Sequence, residues 1–384
     1  RRNPRKGMEM KKEHIGWIDL LRVIACFLVV FSHCCDPFVA RFDDDRGAFL
    51  TGVFSGSLVR PCVPLFVMMT GVLLFPVRTG MGEFYRRRIG RVLVPLAFWS
   101  VALPVLFYLY LNYGCPATAN PAIVAEGHDG AGTLAKLYTY VFNFNFDTTP
   151  LWYLYMLVGL YLVMPVLDAW LERASRRDIR LFLGLWGVSL FIPYIQMLAP
   201  VFGYTGNYGN MGIWGVCDWN AYGTFYYFSG FAGYLVLARY LIRYPLAWSL
   251  RRTLCLAVPM FVAGYLVTSL GYVLAQRYFP GNYAYLEIVW YFTGINVFMM
   301  TFPVFVLVQR IKVPSCAFLS TLSSLTFGIY LCHFVFVAIA YDCFDIASLP
   351  YIVRILAMAC CAFAASALLV WGMDRFPLTR RLVR

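Results

Sequence analysis

The chain has 384 residues, of which 61% are hydrophobic, 18% aromatic and only 13% charged. Soluble domains carry about 25% charged residues, so this composition excludes a water-soluble enzyme, a disordered chain and a basic nucleic-acid-binding domain. The net charge of +13, from 32 Lys and Arg against 19 Asp and Glu, is read instead as a topology signal with contact to anionic membrane lipids.

The fold expected is an all-α polytopic membrane protein of about ten transmembrane helices. A basic arm (residues 1–14) leads into a ten-helix domain (15–373) and ends in a basic tail (374–384). Spans of about twenty residues are drawn at 15–36, 56–76, 92–112, 151–168, 180–200, 222–239, 253–276, 287–308, 319–340 and 351–373. The sixth, with three glycines and many tyrosines, is the poorest span. The runs are continuous rather than alternating, which argues against a β-barrel. The first segment is long enough to span and lacks a small-residue cleavage site, so it is expected to be retained rather than removed as a signal peptide.

That first segment, IGWIDLLRVIACFLVVFSHCCD (15–36), carries Arg22 and His33. An ionisable residue within a span is costly and is a functional-site hypothesis by default. Eleven residues are about three helical turns, so the two side chains share a face about 16 Å apart along the axis. Asp19 and Cys26 fall near the same stripe. A cation near one membrane surface, in line with a titratable base deeper in, suits a long ligand with an anionic head and a reactive tail. Asp19, three residues before Arg22, could instead simply neutralise it. Asp36, three residues after His33, could orient the imidazole, or could merely be solvated at the interface.

The basic segments alternate with the spans. They are the N-terminal arm, the 77–91 loop, the 169–180 loop, 239–252, 309–318 and the tail, and together they hold 25 of the 32 Lys and Arg. All fall on one side of the ten-helix arrangement. The other side holds Arg41, Arg46, Arg60, Lys136, Arg277 and Arg354. The positive-inside rule then puts both termini in the cytoplasm. The outer side has Asp43, Asp44 and Asp45, a long loop at 113–150, and an aromatic and amide-rich loop at 201–221. Such side chains suit carbohydrate stacking, and equally an interfacial aromatic belt. His14 and His128 read as surface residues.

The twelve cysteines show no metal spacing, and no metal is expected. Cys34 and Cys35 follow His33, but an apolar site raises a thiol's pKa and disfavours a nucleophile there. No phosphate-loop, dinucleotide or zinc motif appears. The absence of an obvious internal repeat disfavours an inverted-repeat transporter.

Six stretches in order carry a family resemblance: WIDLLRVIACFLVVFSH, PLFVMMTGVLL (64–74), FYRRRIGRVLVP (84–95), LWYLYMLVGLYLVMPVL (151–167), YFSGFAGYLV (227–236) and SSLTFGIYLCHFV (323–335). On these the chain resembles the acyltransferase-3 family of bacterial integral-membrane O-acyltransferases, from Ile15 to the tail. The resemblance implies transfer of an acyl group, commonly acetyl from acetyl-CoA, to a sugar of a cell-envelope glycan or lipid-linked acceptor. It makes Arg22 and His33 the signature pair. Guanidinium suits the coenzyme's phosphates, and a neutral imidazole suits the proton of an acceptor hydroxyl. Arg88 and Arg91 match the family's Arg-x-x-Arg pattern and could hold the phosphates, while Arg86 and Arg87 read as a membrane anchor. His333, with Tyr330 one turn before it, could orient the acceptor or polarise the carbonyl oxygen. Trp152 and Tyr153 open the fourth span, where relatives often have a His before Leu-Trp; Pro150 stands there here, so acceptor choice could differ. Thr70 stands where the family more often has Ser. A carrier of an acyl donor or lipid-linked glycan without chemistry is the competing reading.

Overall fold

The computed structural model describes residues 16–123, 127–142, 144–204, 223–314 and 316–384. Its elements are helices: α1 (Gly16–Val39), α2 (Arg46–Leu58), α3 (Cys62–Leu74), α4 (Met81–Leu109), α5 (Gly130–Thr139), α6 (Trp152–Arg173), α7 (Arg176–Ser189) and α8 (Ile192–Leu198). They continue with α9 (Ala232–Arg243), α10 (Leu250–Tyr278), α11 (Tyr283–Trp290), α12 (Ile295–Val308), α13 (Ala317–Phe344), α14 (Tyr351–Asp374) and the short α15 (Pro377–Arg380). No strand occurs among the described residues, and nine helical stretches there are long and apolar enough to cross a membrane. The protein is a multi-pass, all-helical membrane protein.

Burial runs as a bilayer demands. The α13 stretch is 72% buried and forms the centre of the bundle, with α1 and α14 against it. The α10 stretch is only 22% buried, and Leu256, Val258, Val262, Leu266 and Leu270 are exposed along it. Lipid is as apolar as leucine, so a helix can turn such a face outward in a bilayer, whereas in water the same stripe would be an aggregation surface.

Several spans depart from the sequence reading for identifiable reasons. The second begins at Arg46 rather than near 56, because Asp45 caps α2 by accepting the Ala48 N–H at 2.9 Å. It breaks at residues 59–61, where Arg60 precedes Pro61 and a residue before proline is pushed out of helical geometry. The third begins at Met81, so Arg86, Arg87, Arg88 and Arg91 lie on a helix rather than in a loop. The expected 169–180 loop shrinks to two residues, because Ser175 and Asp178 form a capping box that starts α7 at once. The sixth fails as a span: α9 has 12 residues, about 18 Å. Gly223 and Gly230, at φ 69° and 79°, interrupt the helix before it. Most of the 201–221 loop lies outside the described residues, as do His14 and the basic arm.

A second break, at 291–294, separates α11 from α12. Asn296 compensates it: its Nδ2 donates to the Val289 carbonyl at 2.6 Å and to the Thr268 hydroxyl at 2.8 Å. The two breaks face each other across Gly56, where a Cβ would meet Trp290 at 3.1 Å and Cys35 at 3.4 Å. Glycine here lets α2 approach α1 and the α11 end closely.

At the end of the bundle that holds the 40–45 turn, several charges hold elements together. Arg41 donates to the Tyr341 hydroxyl at 2.7 Å, and Tyr351 donates to Asp45. The Tyr351 hydroxyl and the Ala48 N–H hold the Asp45 carboxyl below its ordinary value. Buried Arg354 donates to the Phe344 carbonyl at 3.0 Å and pairs with Asp345.

Candidate active site

The shared face of α1 points at α13. Cys26 lies against the Thr326 carbonyl, with sulfur and oxygen 3.4 Å apart. Two turns further on, the His33 and His333 rings are 5.3 Å apart. His33 Nδ1 donates to Asp36 Oδ2 at 2.9 Å. A carboxylate accepts, so this nitrogen carries the proton and Nε2 presents a lone pair when the ring is neutral. His333 Nδ1 donates to the Tyr330 carbonyl at 2.7 Å, which leaves His333 Nε2 as the second lone pair, buried and without a partner. Two imidazoles thus meet with each Nδ1 engaged and each Nε2 available. That geometry suits accepting the proton of a hydroxyl. It does not suit the other role expected of His333, polarising a carbonyl oxygen, which needs a donor. The His33 side chain is 18% exposed and Asp36 38%, so the pair borders an opening while His333 is sealed.

Three turns back along α1, Arg22 lines a cavity of about 380 Å³ together with Arg88 and Arg91 of α4. The three arginines anticipated as anion ligands are therefore brought to one place. None makes a hydrogen bond or ion pair among the described residues. Asp19 accepts the Ser323 hydroxyl at 2.7 Å and also acts as an attractive charge on Arg22 without a contact ion pair, so it offsets part of that cation's charge. Thr70 keeps a hydroxyl on the cavity wall but spends its proton on the Phe66 carbonyl at 2.9 Å.

The arginine cavity is lined by Tyr330, one turn before His333 on α13, while neither His33 nor His333 lines it. Tyr153 and Tyr330 line it, their rings 5.4 Å apart, and the Tyr330 and His333 rings are 5.8 Å apart. Tyr330 is not positioned as a hydrogen-bonding contact for an acceptor, because its hydroxyl donates to the Pro150 carbonyl. It and Tyr153 are walls of the arginine cavity. Trp152 is turned elsewhere and stacks on Phe292, with 5.6 Å between centroids and an interplanar angle of 11°. The sequence reading missed Tyr161 and Arg384, which also line the cavity. Tyr161 was legible, since Tyr153, Leu157 and Tyr161 recur every four residues on one face of α6. Arg384 was not, because only the fold returns the tail to α4; it sits in a second hollow of about 580 Å³ with Arg86, Arg87, Arg91, Arg380 and Arg381.

His128 corrects a second expectation. It is buried rather than at the surface. Its Nε2 donates to Asp147 Oδ1 at 2.6 Å, and Lys136 donates to Asp147 Oδ2 at 2.7 Å. The triad ties α5 to the segment that leads into α6, behind Phe146 and Phe334. Cys34 and Cys35 are buried free thiols.

The description of a family model that matches residues 15–371 is acyltransferase domain, in the acyltransferase-3 series. No curated relative and no solved structure matches the chain.

Proposed function

The chain belongs to the acyltransferase-3 family, and from that membership we propose that it moves an acetyl group from acetyl-CoA to a sugar hydroxyl of a cell-envelope glycan or glycolipid, in the bacterial cytoplasmic membrane. The carrying observation is the arrangement of α1, α4 and α13: three arginines around one cavity, none with a hydrogen bond or contact ion pair among the described residues, and two imidazoles with rings 5.3 Å apart further along α1 and α13. The basic end faces the cytoplasm by the positive-inside rule, so the donor enters there. Arg22, Arg88 and Arg91 hold its phosphates by charge-assisted hydrogen bonds. The roughly 16 Å from Arg22 to His33 along α1 is comparable to an extended pantetheine arm, which passes Tyr153 and Tyr330 and brings the thioester to the histidines.

The acceptor comes from the opposite side, past Asp36. His33 takes the hydroxyl proton as the sugar oxygen attacks the thioester carbonyl. A C–O bond forms, the C–S bond breaks, and the proton passes to the departing thiolate, leaving an acetyl ester and free coenzyme thiol. Asp36 holds His33 in the tautomer that can do this and stabilises the imidazolium that forms. His333, sealed behind it with its ring 5.3 Å away, holds the His33 ring in place. Labelled acetyl-CoA given to the purified protein in the presence of envelope glycan tests the reading. Ester-linked label on the glycan with stoichiometric free thiol is expected. An intact thioester, with label merely moved across a vesicle membrane, would mean a carrier instead.

A further inference from the structure

Arg60 has no role in the scheme above, and its place in the fold is unusual. The stretch Arg46–Leu74 has 29 residues, and Arg60 stands at its midpoint in sequence. It lies in the break between α2 and α3, so the sequence reading, which began this span near 56 and put Arg60 on the outer side, misplaced it. A guanidinium within such an apolar stretch is costly without a counter-charge or hydrogen-bond acceptors.

The described residues supply no ion pair at contact distance and no hydrogen-bond acceptor, although the Asp36 carboxylate acts on the same neighbours, Cys35 and Tyr272, as Arg60 does. One face of the guanidinium is covered by Trp290, 3.7 Å from its centroid, and Phe292 is 5.5 Å away. No hydrogen bond or ion pair reaches it among the described residues, and its Nε is buried without a partner. Trp290 is pinned by its own Nε1 donating to the Ser57 hydroxyl at 3.0 Å, and Tyr272 packs on it at 4.4 Å. Tyr272 lies within electrostatic reach of both Arg60 and Asp36. Arg60 therefore stands on the same side of α1 as the half-exposed carboxylate at the opening to His33. Phe292 continues the wall to Trp152, which adjoins Tyr153. The result is a packed aromatic cluster around one planar cation whose hydrogen-bonding edge is unused. A planar fork of N–H donors matches a carboxylate or phosphate bidentately.

We propose that Arg60, with Trp290, Phe292 and Trp152, forms the acceptor subsite and selects an acidic acceptor, a glycan whose acetylated sugar or its neighbour bears a carboxylate or a phosphate ester. The proposal rests on the transferase reading and adds the chemical class of its acceptor. The donor's phosphates are held at the other end of the passage by Arg22, Arg88 and Arg91, so the anion at Arg60 is the acceptor's own.

The test uses a deletion strain of the source organism complemented with the wild type, Arg60→Gln or Arg60→Lys, with envelope glycans mapped by mass spectrometry. Acetyl-CoA affinity of each purified variant serves as the control for folding. With the wild type, the expected acetyl ester lies on an acidic sugar or the residue next to one. Arg60→Gln is expected to lower acetylation about tenfold or more, the scale of a lost charge-assisted hydrogen bond, with donor affinity unchanged; Arg60→Lys retains part of it. An acetyl ester on a stretch with no anionic group overturns the proposal, as does undiminished acetylation by Arg60→Gln. Loss of donor binding in both variants overturns it too, because Arg60 would then be a structural residue. If no acetyl ester depends on the wild-type gene, the transferase reading itself falls.

Discussion

The charged groups of this protein divide into two populations. At the end with the 40–45 turn and around α5, several are matched within the protein: Arg41 by Tyr341, Arg354 by Asp345 and a carbonyl, and Lys136 and His128 by Asp147. Away from the site the same holds for Arg243, which donates to the Leu171 carbonyl at 2.8 Å, and for Arg310, which donates to those of Trp248 and Leu246. Along the passage from α4 to the histidines, Arg22, Arg88, Arg91 and Arg60 have no such partner among the described residues. A buried or half-buried cation that the fold leaves unmatched costs stability, and a ligand anion is what offsets it. Matched charges hold the architecture together, and the cations gathered without a contact partner around the cavity and at the α2–α3 break are the ones offered to a ligand.

Substitutions on the two sides of this division should fail in different ways. On the passage, His33→Ala is expected to slow transfer by about 10²–10⁴-fold, the usual contribution of a general base, with the melting temperature in detergent unchanged. Arg22→Ala or Arg88→Ala should weaken acetyl-CoA binding by roughly 10–150-fold, the equivalent of one or two hydrogen bonds to a charged group, as read by calorimetry. On the architectural side, Asp147→Asn leaves Lys136 and His128 facing each other without their carboxylate. It should cost about 3–5 kcal/mol of stability while the rate per folded molecule stays near that of the wild type.

The smallest effect is expected at Asp45→Ala, about 1 kcal/mol for a lost helix cap. Its pH dependence has a definite sign. The Asp45 carboxyl is held below its ordinary value, so its contribution is complete above the unfolded carboxylate pKa, near 4. The contribution is lost as pH falls through the lowered one. Melting curves of Asp45→Ala and the wild type should therefore stay separated from pH 8 to 5 and converge in more acidic buffer. If Asp147→Asn abolished transfer without destabilising the protein, the division between matched and unmatched charges would be wrong at its strongest point.

Much of this arrangement was legible in the chain. Hydropathy and length located most spans, because the bilayer imposes one dominant constraint. The i, i+11 relation of Arg22 and His33 followed from helical periodicity alone. The meeting of His33 with His333, and of Arg22 with Arg88 and Arg91, required knowing which helices touch, and hydropathy does not encode that. Arg60 escaped because its helix is interrupted: a span drawn as one uniform apolar run cannot show that Arg60-Pro61 breaks it midway. His128 was misread because its partners, Asp147 and Lys136, come together only when the 113–150 segment folds back on itself. Tyr330 was legible as a neighbour of His333, but its bond to the Pro150 carbonyl belongs to tertiary structure.

The decisive measurement is on His33→Ala purified beside the wild type, with acetyl-CoA affinity and acetyl transfer to envelope glycan followed on the same samples. Donor affinity within a few-fold of the wild type, together with transfer reduced by about 10²-fold or more, is the expected result. Transfer at the wild-type rate by a variant that binds donor normally would contradict it and remove His33 from the chemistry.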